Sequence, residues 1–161
     1  MREVRAAAPS DWEAIADIFW RGVSEGAAPR YDVAQRAAWL PERPDAAAFA
    51  ARLAGQRVWV SVDGEPSGFA SLTADGYLDF LYVLPEHRGD GTAAALLAVV
   101  VNAALAAGLT RLTVRASDMA RPFLARHGWH VVAPAPQTRG GVTLPATDMA
   151  LTLSAEALAA E

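Results

Sequence analysis

The stretch Tyr77-Leu-Asp-Phe-Leu-Tyr-Val-Leu-Pro-Glu-His-Arg-Gly-Asp-Gly-Thr-Ala-Ala-Ala-Leu-Leu97 decides the fold. Tyr77 to Val83 reads as a strand, Pro85 and a glycine-rich turn interrupt it, and a helix runs from about Thr92 to Ala107, where Gly108 ends it. Two glycines in Arg88-Gly89-Asp90-Gly91-Thr92-Ala93 let backbone approach a ligand closely. The new helix adds free amides and the positive end of its dipole, so the segment outlines an anion site of pyrophosphate size. It is not a Walker loop, because the chain has no Lys, and the third glycine of the dinucleotide fingerprint is missing.

Upstream, Val58, Val60 and Val62 alternate with Trp59 and Ser61 as a strand, Asp63-Gly64 is a hairpin signal, and Phe69 to Thr73 is a second strand. Asp75-Gly76 turns the chain into the strand quoted above, which completes an antiparallel meander. Before it come three helices. Ser10 and Glu13 have the spacing of a capping box, and Ile15, Ile18, Phe19 and Val23 follow at helical spacing. Val33 to Leu40 is a second helix, and Asp45 caps a third around Phe49 and Leu53. Downstream, Leu109 to Val114 is a strand, Ser117-Asp118 caps a short helix that ends at Gly128, and Trp129 to Val132 and Met149 to Leu153 are closing strands. Ala133 to Pro145, with three Pro and two Gly, reads as a loop. The order predicts a mixed α+β fold, one domain over residues 1–161, around one central sheet.

Composition narrows the function. The chain has 161 residues with 14 basic and 18 acidic side chains, a net charge of −4, which argues against nucleic-acid binding. A hydrophobic share of 53% supplies a real core. Cysteine is absent, which removes disulfides, thiolate metal sites and a thiol nucleophile. All 14 cations are Arg, so lysine Schiff-base chemistry is removed as well. His87, His127 and His130 form no metal-ligand pattern, so no metal is expected. The N-terminus has no signal-peptide pattern, and the apolar run Thr92 to Leu109 contains Asn102 and Gly108, so it reads as a core helix and not a membrane span. A cytoplasmic protein with no membrane partner is expected, and a homodimer is left open.

Arg88, Gly91 and Ala93 resemble the signature of the GNAT superfamily of acyl-CoA-dependent N-acetyltransferases: Gln or Arg, two residues, Gly, one residue, Gly or Ala. Val83-Leu84-Pro85-Glu86 is similar to the family's lead-in from its fourth strand, and Ala116 to Trp129 resembles its helix beside the coenzyme arm, which ends in a Gly-aromatic pair. The resemblance implies a mostly antiparallel sheet splayed between strands four and five, with acetyl-CoA between them. Backbone of Leu81, Tyr82 and Val83 would hold the pantetheine arm, and the Leu81 N–H would be the oxyanion donor. Amides from Gly89 through Asp90, Gly91, Thr92 and Ala93 to Ala94 would hold the pyrophosphate. Arg88 either bonds phosphate or braces the loop, Ser117 either contacts the arm or caps a helix, and Phe123 packs as core with an adenosine-side contact. Trp20, Tyr31 and Trp39 fall in the helices that border the family's acceptor cleft.

Asp79 is a charge inside an apolar strand, on the pleat face of Leu81 and Val83 and opposite Phe80 and Tyr82. It reads either as the general base or as the structural partner of an Arg or a backbone amide. Many relatives place a proton-donating Tyr where this chain has Leu124. Tyr31 and Tyr82 are the phenols considered in its place, with Tyr82 set aside on strand parity. The expected function is acetyl transfer from acetyl-CoA to a primary amine of a small molecule, by direct attack in a ternary complex. The alternative is a non-catalytic acyl-CoA-binding sensor.

Overall fold

The computed structural model describes residues 1–154. Along the chain run β1 (Glu3–Ala6), α1 (Trp12–Ser24), α2 (Val33–Trp39), α3 (Ala46–Arg52), β2 (Arg57–Asp63), β3 (Glu65–Leu72), β4 (Leu78–Val83) and α4 (Thr92–Ala106). Then follow β5 (Arg111–Ser117), α5 (Arg121–Arg126), β6 (His130–Pro134), β7 (Gln137–Arg139), β8 (Val142–Leu144) and β9 (Ala146–Thr152). Strands β1-β2-β3-β4 form one antiparallel sheet and β5-β9-β6 a second. The fold class is the expected α+β arrangement, and no described helix is long and apolar enough to cross a membrane.

The first sheet is covered on both faces because its strands carry apolar residues at both parities. Val60, Phe69 and Phe80 meet Phe19 of α1 and Phe49 of α3, with Phe19 and Phe80 ring centroids 5.1 Å apart and Phe49 and Phe80 5.2 Å apart. On the other face Ala70, Leu72 and Leu78 meet Leu96, Leu97 and Val100 of α4. The same helix covers Leu112, Val114 and Met149 of the second sheet. An apolar helix without charge is thus buried because two sheets share it.

The sheets touch through one parallel bridge, Tyr77 to Thr113, with the Thr113 N–H donating to the Gly76 carbonyl at 3.0 Å. Past it β4 and β5 separate. The pairing of β3 with β4 slips from Ser71–Phe80 to Leu72–Leu78, which leaves Asp79 as an extra residue. Such a bulge bends its strand and breaks its alternation. Leu78 therefore shares the α4 core with Leu81 and Val83, whereas Phe80 and Tyr82 face α1. The pleat face expected for Asp79, with Leu81 and Val83, is corrected by this bulge.

Two local expectations also change. Ala133 to Pro145 is not all loop: it holds the β7–β8 hairpin, turned by Gly140 and Gly141, both at positive φ. Ser10 does not cap α1. It lies in a short 3-10 turn, and Asp11 takes the polar role instead. The buried Asp11 carboxylate accepts from both Arg5 terminal nitrogens, at 2.7 and 3.0 Å, and from the Ala8 N–H at 2.7 Å.

The Arg5 hydrogen bond, helped by the Ala8 N–H and opposed by burial, holds the Asp11 carboxyl below its ordinary range. A depressed folded-state value contributes stability above the ordinary carboxylate range, and that contribution is lost as pH falls through and below it. Asp11→Ala is expected to cost about 2 kcal/mol near neutral pH, as for loss of hydrogen bonds to a charged group. Urea unfolding of parent and variant at pH 7 and pH 2 checks this: the gap should narrow in acid, and an equal gap at both would exclude a role for the ionised form.

Candidate active site

The antiparallel ladder decides which backbone groups enter the gap between β4 and β5. The Leu84 N–H donates to the Ser67 carbonyl at 2.8 Å, so by alternation Tyr82 and Phe80 also point their backbone at β3. Leu81 and Val83 then turn theirs to the gap. On the other side the Thr113 bond to Gly76 places Arg115 and Ser117 toward the same gap. The backbone contact expected from Tyr82 is therefore corrected, since its amide belongs to β3. Its ring, not its backbone, lines the cleft, packed against Gly22 of α1, where an added Cβ would meet Tyr82 Cδ1 at 2.8 Å.

The gap opens into a cleft of about 490 Å³. At one end stands the loop after β4. Gly89 and Gly91 both adopt positive φ, at 82° and 91°, which carries the chain sharply into α4. The Asp90 carboxylate accepts from the Thr92 N–H at 3.0 Å, the Thr92 hydroxyl at 2.6 Å and His87 Nδ1 at 2.7 Å, and Arg2 donates to the Asp90 carbonyl. Bonds from Thr92 and then His87 lower the Asp90 carboxyl to about 2. Asp90 and Thr92 are thus occupied with each other, and Thr92 is buried. Gly89, Gly91, Ala93 and Ala94 line the cleft. The continuous run of anion-binding amides expected from Gly89 to Ala94 is narrowed to these four.

Arg88 lines the cleft and also braces the loop, its Nη2 donating to the Gly26 carbonyl at 2.6 Å and fixing the loop to the end of α1. Arg21 reinforces this, binding Glu86 at 2.8 and 2.9 Å and Glu25 at 2.8 Å. Ser117 lines the cleft and its Oγ accepts from the Ala120 N–H at 3.2 Å within the turn before α5; the helix itself begins after Ala120 without a side-chain cap, so the capping reading of Ser117 is corrected to a turn contact. Phe123 lines the same wall with its ring 4.5 Å from His127, and Leu124 is buried in it.

At the other end are Asp79, Arg115 and Trp39. Asp79 Oδ2 accepts from Gln56 Nε2 at 2.7 Å. Its partner is a side-chain amide, neither the Arg nor the backbone amide expected, and its other oxygen has no hydrogen bond among the described residues. Tyr82 likewise brings a hydroxyl without a partner among the described residues, and burial raises that phenol well above its ordinary range. Sequence reasoning set Tyr82 aside on parity, an argument the bulge invalidates. It also passed over Tyr77, whose phenol is raised by burial and lies against the Arg115 backbone, and over Arg115 itself, for which alternation along β5 was the available signal.

Two expected pocket residues stand elsewhere. Trp20 lies on α1 away from the cleft lining. Tyr31 is buried: its hydroxyl donates to the Pro145 carbonyl at 2.5 Å and accepts from the Asp118 N–H at 2.8 Å. It ties the segment before α2 to two loops and has no proton to offer a ligand. Its ring packs on Trp39 at 5.2 Å, which holds that wall in place. Among the described residues no group of His, Cys, Asp or Glu could hold a metal.

A family model described as acetyltransferase (GNAT) domain matches residues 25–153. An uncharacterised N-acetyltransferase of Escherichia coli K12, YafP, is 34% identical over 131 residues, covering 81% of this chain and 82% of its own. A crystal structure of a GCN5-related N-acetyltransferase from Rhodopseudomonas palustris is also 34% identical, with a TM-score of 0.88 over 95% of this chain and 96% of that one. The acetyltransferase-like yncA of Salmonella typhimurium, solved with its cofactor acetyl-CoA, shares the fold at 23% identity and a TM-score of 0.73, covering 96% and 95% of the two chains.

Tyr31→Phe should leave the Asp118 N–H and the Pro145 carbonyl unpaired and cost about 1–3 kcal/mol. Thermal unfolding of the two proteins checks this, and an unchanged midpoint would exclude Tyr31 as the pin of this wall.

Proposed function

The chain belongs to the GNAT acetyltransferase family, and on that footing we propose that it transfers the acetyl group of acetyl-CoA to a primary amine of a small molecule. One observation carries the reading: the cleft has free loop amides at one end and a carboxylate oxygen at the other, with the unpaired backbone of Leu81 and Val83 between them. The acetyl-CoA bound by the Salmonella relative supports the choice of donor.

In this reading Gly89, Gly91, Ala93 and Ala94 receive the pyrophosphate, and the α4 dipole adds to their attraction. Leu81 and Val83 pair with the amides of the pantetheine arm as a neighbouring strand would. The Leu81 N–H polarises the thioester carbonyl and stabilises the oxyanion that forms on it. Asp79 takes a proton from the acceptor ammonium, directly or through water, and the free amine attacks the carbonyl carbon. The new C–N bond forms, the C–S bond breaks, the thiolate leaves with the electron pair, and the second proton lost by the nitrogen goes to that thiolate, giving the amide and the free CoA thiol. A thiol with a reference pKa of about 8.5 is a tolerable leaving group near neutral pH. The Tyr82 hydroxyl, neutral throughout the working range, donates a hydrogen bond to that sulfur where Leu124 has none to give. The chain has no Cys to carry an acetyl thioester, which supports direct attack in a ternary complex as the simplest route.

Acetyl-CoA at about 100 times its Kd should stabilise the parent by about 2.7 kcal/mol. Gly91→Val should lose most of this, because its side chain would stand in the loop and Gly91 has a φ of 91°. Unchanged affinity by calorimetry would refute the loop assignment.

Asp79→Asn should lower turnover about 10²–10⁴-fold near neutral pH, the usual worth of a positioned base. Turnover should recover in part at high pH, where the acceptor is already free amine. A full-rate Asn variant with the parent pH profile would leave Asp79 only its bond to Gln56.

A further inference from the structure

Two opposite charges line the acceptor end of the cleft without pairing with each other. The Tyr77–Thr113 bridge sets a parallel register between β4 and β5, so two residues past it Asp79 stands beside Arg115. The strands diverge there, and no ion pair joins the two among the described residues. Each is held from behind by a third residue. Gln56 Nε2 binds one Asp79 oxygen at 2.7 Å, and Asp148, directly opposite Arg115 on β9, binds Arg115 Nε at 3.1 Å. Both therefore keep their outer polar atoms for something else: one carboxylate oxygen, and the two terminal nitrogens of a guanidinium.

A guanidinium held at Nε presents its two terminal N–H groups as a fixed fork, the geometry that receives a carboxylate. A cleft meant for a plain alkylamine gains nothing from a cation on the same wall, since it repels the ammonium that Asp79 attracts. The arrangement is complementary to a zwitterion. We infer that the acceptor is an amino acid or related amine bearing a carboxylate close to its nitrogen, with the nitrogen at Asp79 and the carboxylate on Arg115. The inference rests on the acetyltransferase reading above and adds a substrate class and a specificity-determining residue to it. Tyr77 borders the same corner, its phenol against the Arg115 backbone and within the fields of Asp79 and Asp148.

The experiment follows release of free CoA from acetyl-CoA with α-amino acids and, in parallel, with their carboxamides. The carboxamide keeps the α-amine and the side chain, removes the negative charge and has the more readily deprotonated nitrogen. Intrinsic reactivity therefore works against the expected result. Parent enzyme should turn over at least one amino acid more than tenfold better in kcat/KM than its carboxamide. Arg115→Met, which keeps the aliphatic stem, should lower kcat/KM for that acid about 10–100-fold, as expected when charge-assisted bonds are lost, chiefly through KM. Its carboxamide activity should stay at the parent level or rise, and Arg115→Lys should restore part of the acid preference. The acid-to-carboxamide ratio of the parent tests the inference even if a variant folds poorly. Equal use of acid and carboxamide by the parent, or an equal loss with both in Arg115→Met, would overturn the substrate class while leaving acetyl transfer standing. Acetyl-CoA binding without CoA release from any amine would overturn the acetyltransferase reading and this inference with it.

Discussion

Beyond the Tyr77–Thr113 bridge, β4 and β5 have backbone donors and acceptors that neither strand satisfies for the other. Unpaired backbone inside a fold is costly, and here it is kept where a ligand can reach it. The rest of the molecule is arranged to hold that gap open. The bulge at Asp79 bends β4 away, α4 spans both sheets from below, and Tyr31 with Trp39 walls the opposite side. Were the two strands to close, the cleft, the loop entrance and the pair of charges at its far end would disappear together.

Holding a wedge open needs stiffness at its rim, and the rim is tied by few but well-placed polar bonds. Arg88 to the Gly26 carbonyl and Arg21 to Glu86 join the loop after β4 to α1. Asp90 turns back on Thr92 and His87, so the start of α4 is satisfied from within the loop. The loop thus takes its shape from its own bonds, and the phosphate binding proposed for it would need little further ordering.

The repeating features were readable from residues. Alternation marked β2 to β4, helical spacing marked α1, and Arg88, Gly91 and Ala93 marked the loop, because each depends on local chain geometry. What escaped depends on pairing between distant segments. The bulge exists only in the register of β4 against β3, so the face assigned to Asp79 and the case against Tyr82 both failed on it. Tyr31 is fixed by Pro145 and by Asp118, more than 80 residues away in sequence, and nothing near Tyr31 announces that. Asp90 and Thr92 were counted among the phosphate-binding amides because a loop amide is a donor by default, while here the Asp90 N–H turns to the His87 carbonyl and the Thr92 N–H to the Asp90 carboxylate. The β7–β8 hairpin was legible in Gly140-Gly141 between two short polar-apolar runs, but three nearby prolines drew the reading toward loop.

Every cationic side chain that braces this cleft is a guanidinium: Arg21 and Arg88 at the loop, Arg115 and Arg139 toward the other end, the last bound to the Trp39 carbonyl. With the donor proposed above, that choice has a chemical consequence. An amine tethered beside an activated thioester is presented at an effective concentration no free acceptor can match. A lysine at any of these posts would be a captive nucleophile, consuming the reagent and cancelling its own positive charge with each event. Guanidinium remains protonated and non-nucleophilic at any working pH, so the scaffold supplies its ion pairs without competing for the group being moved.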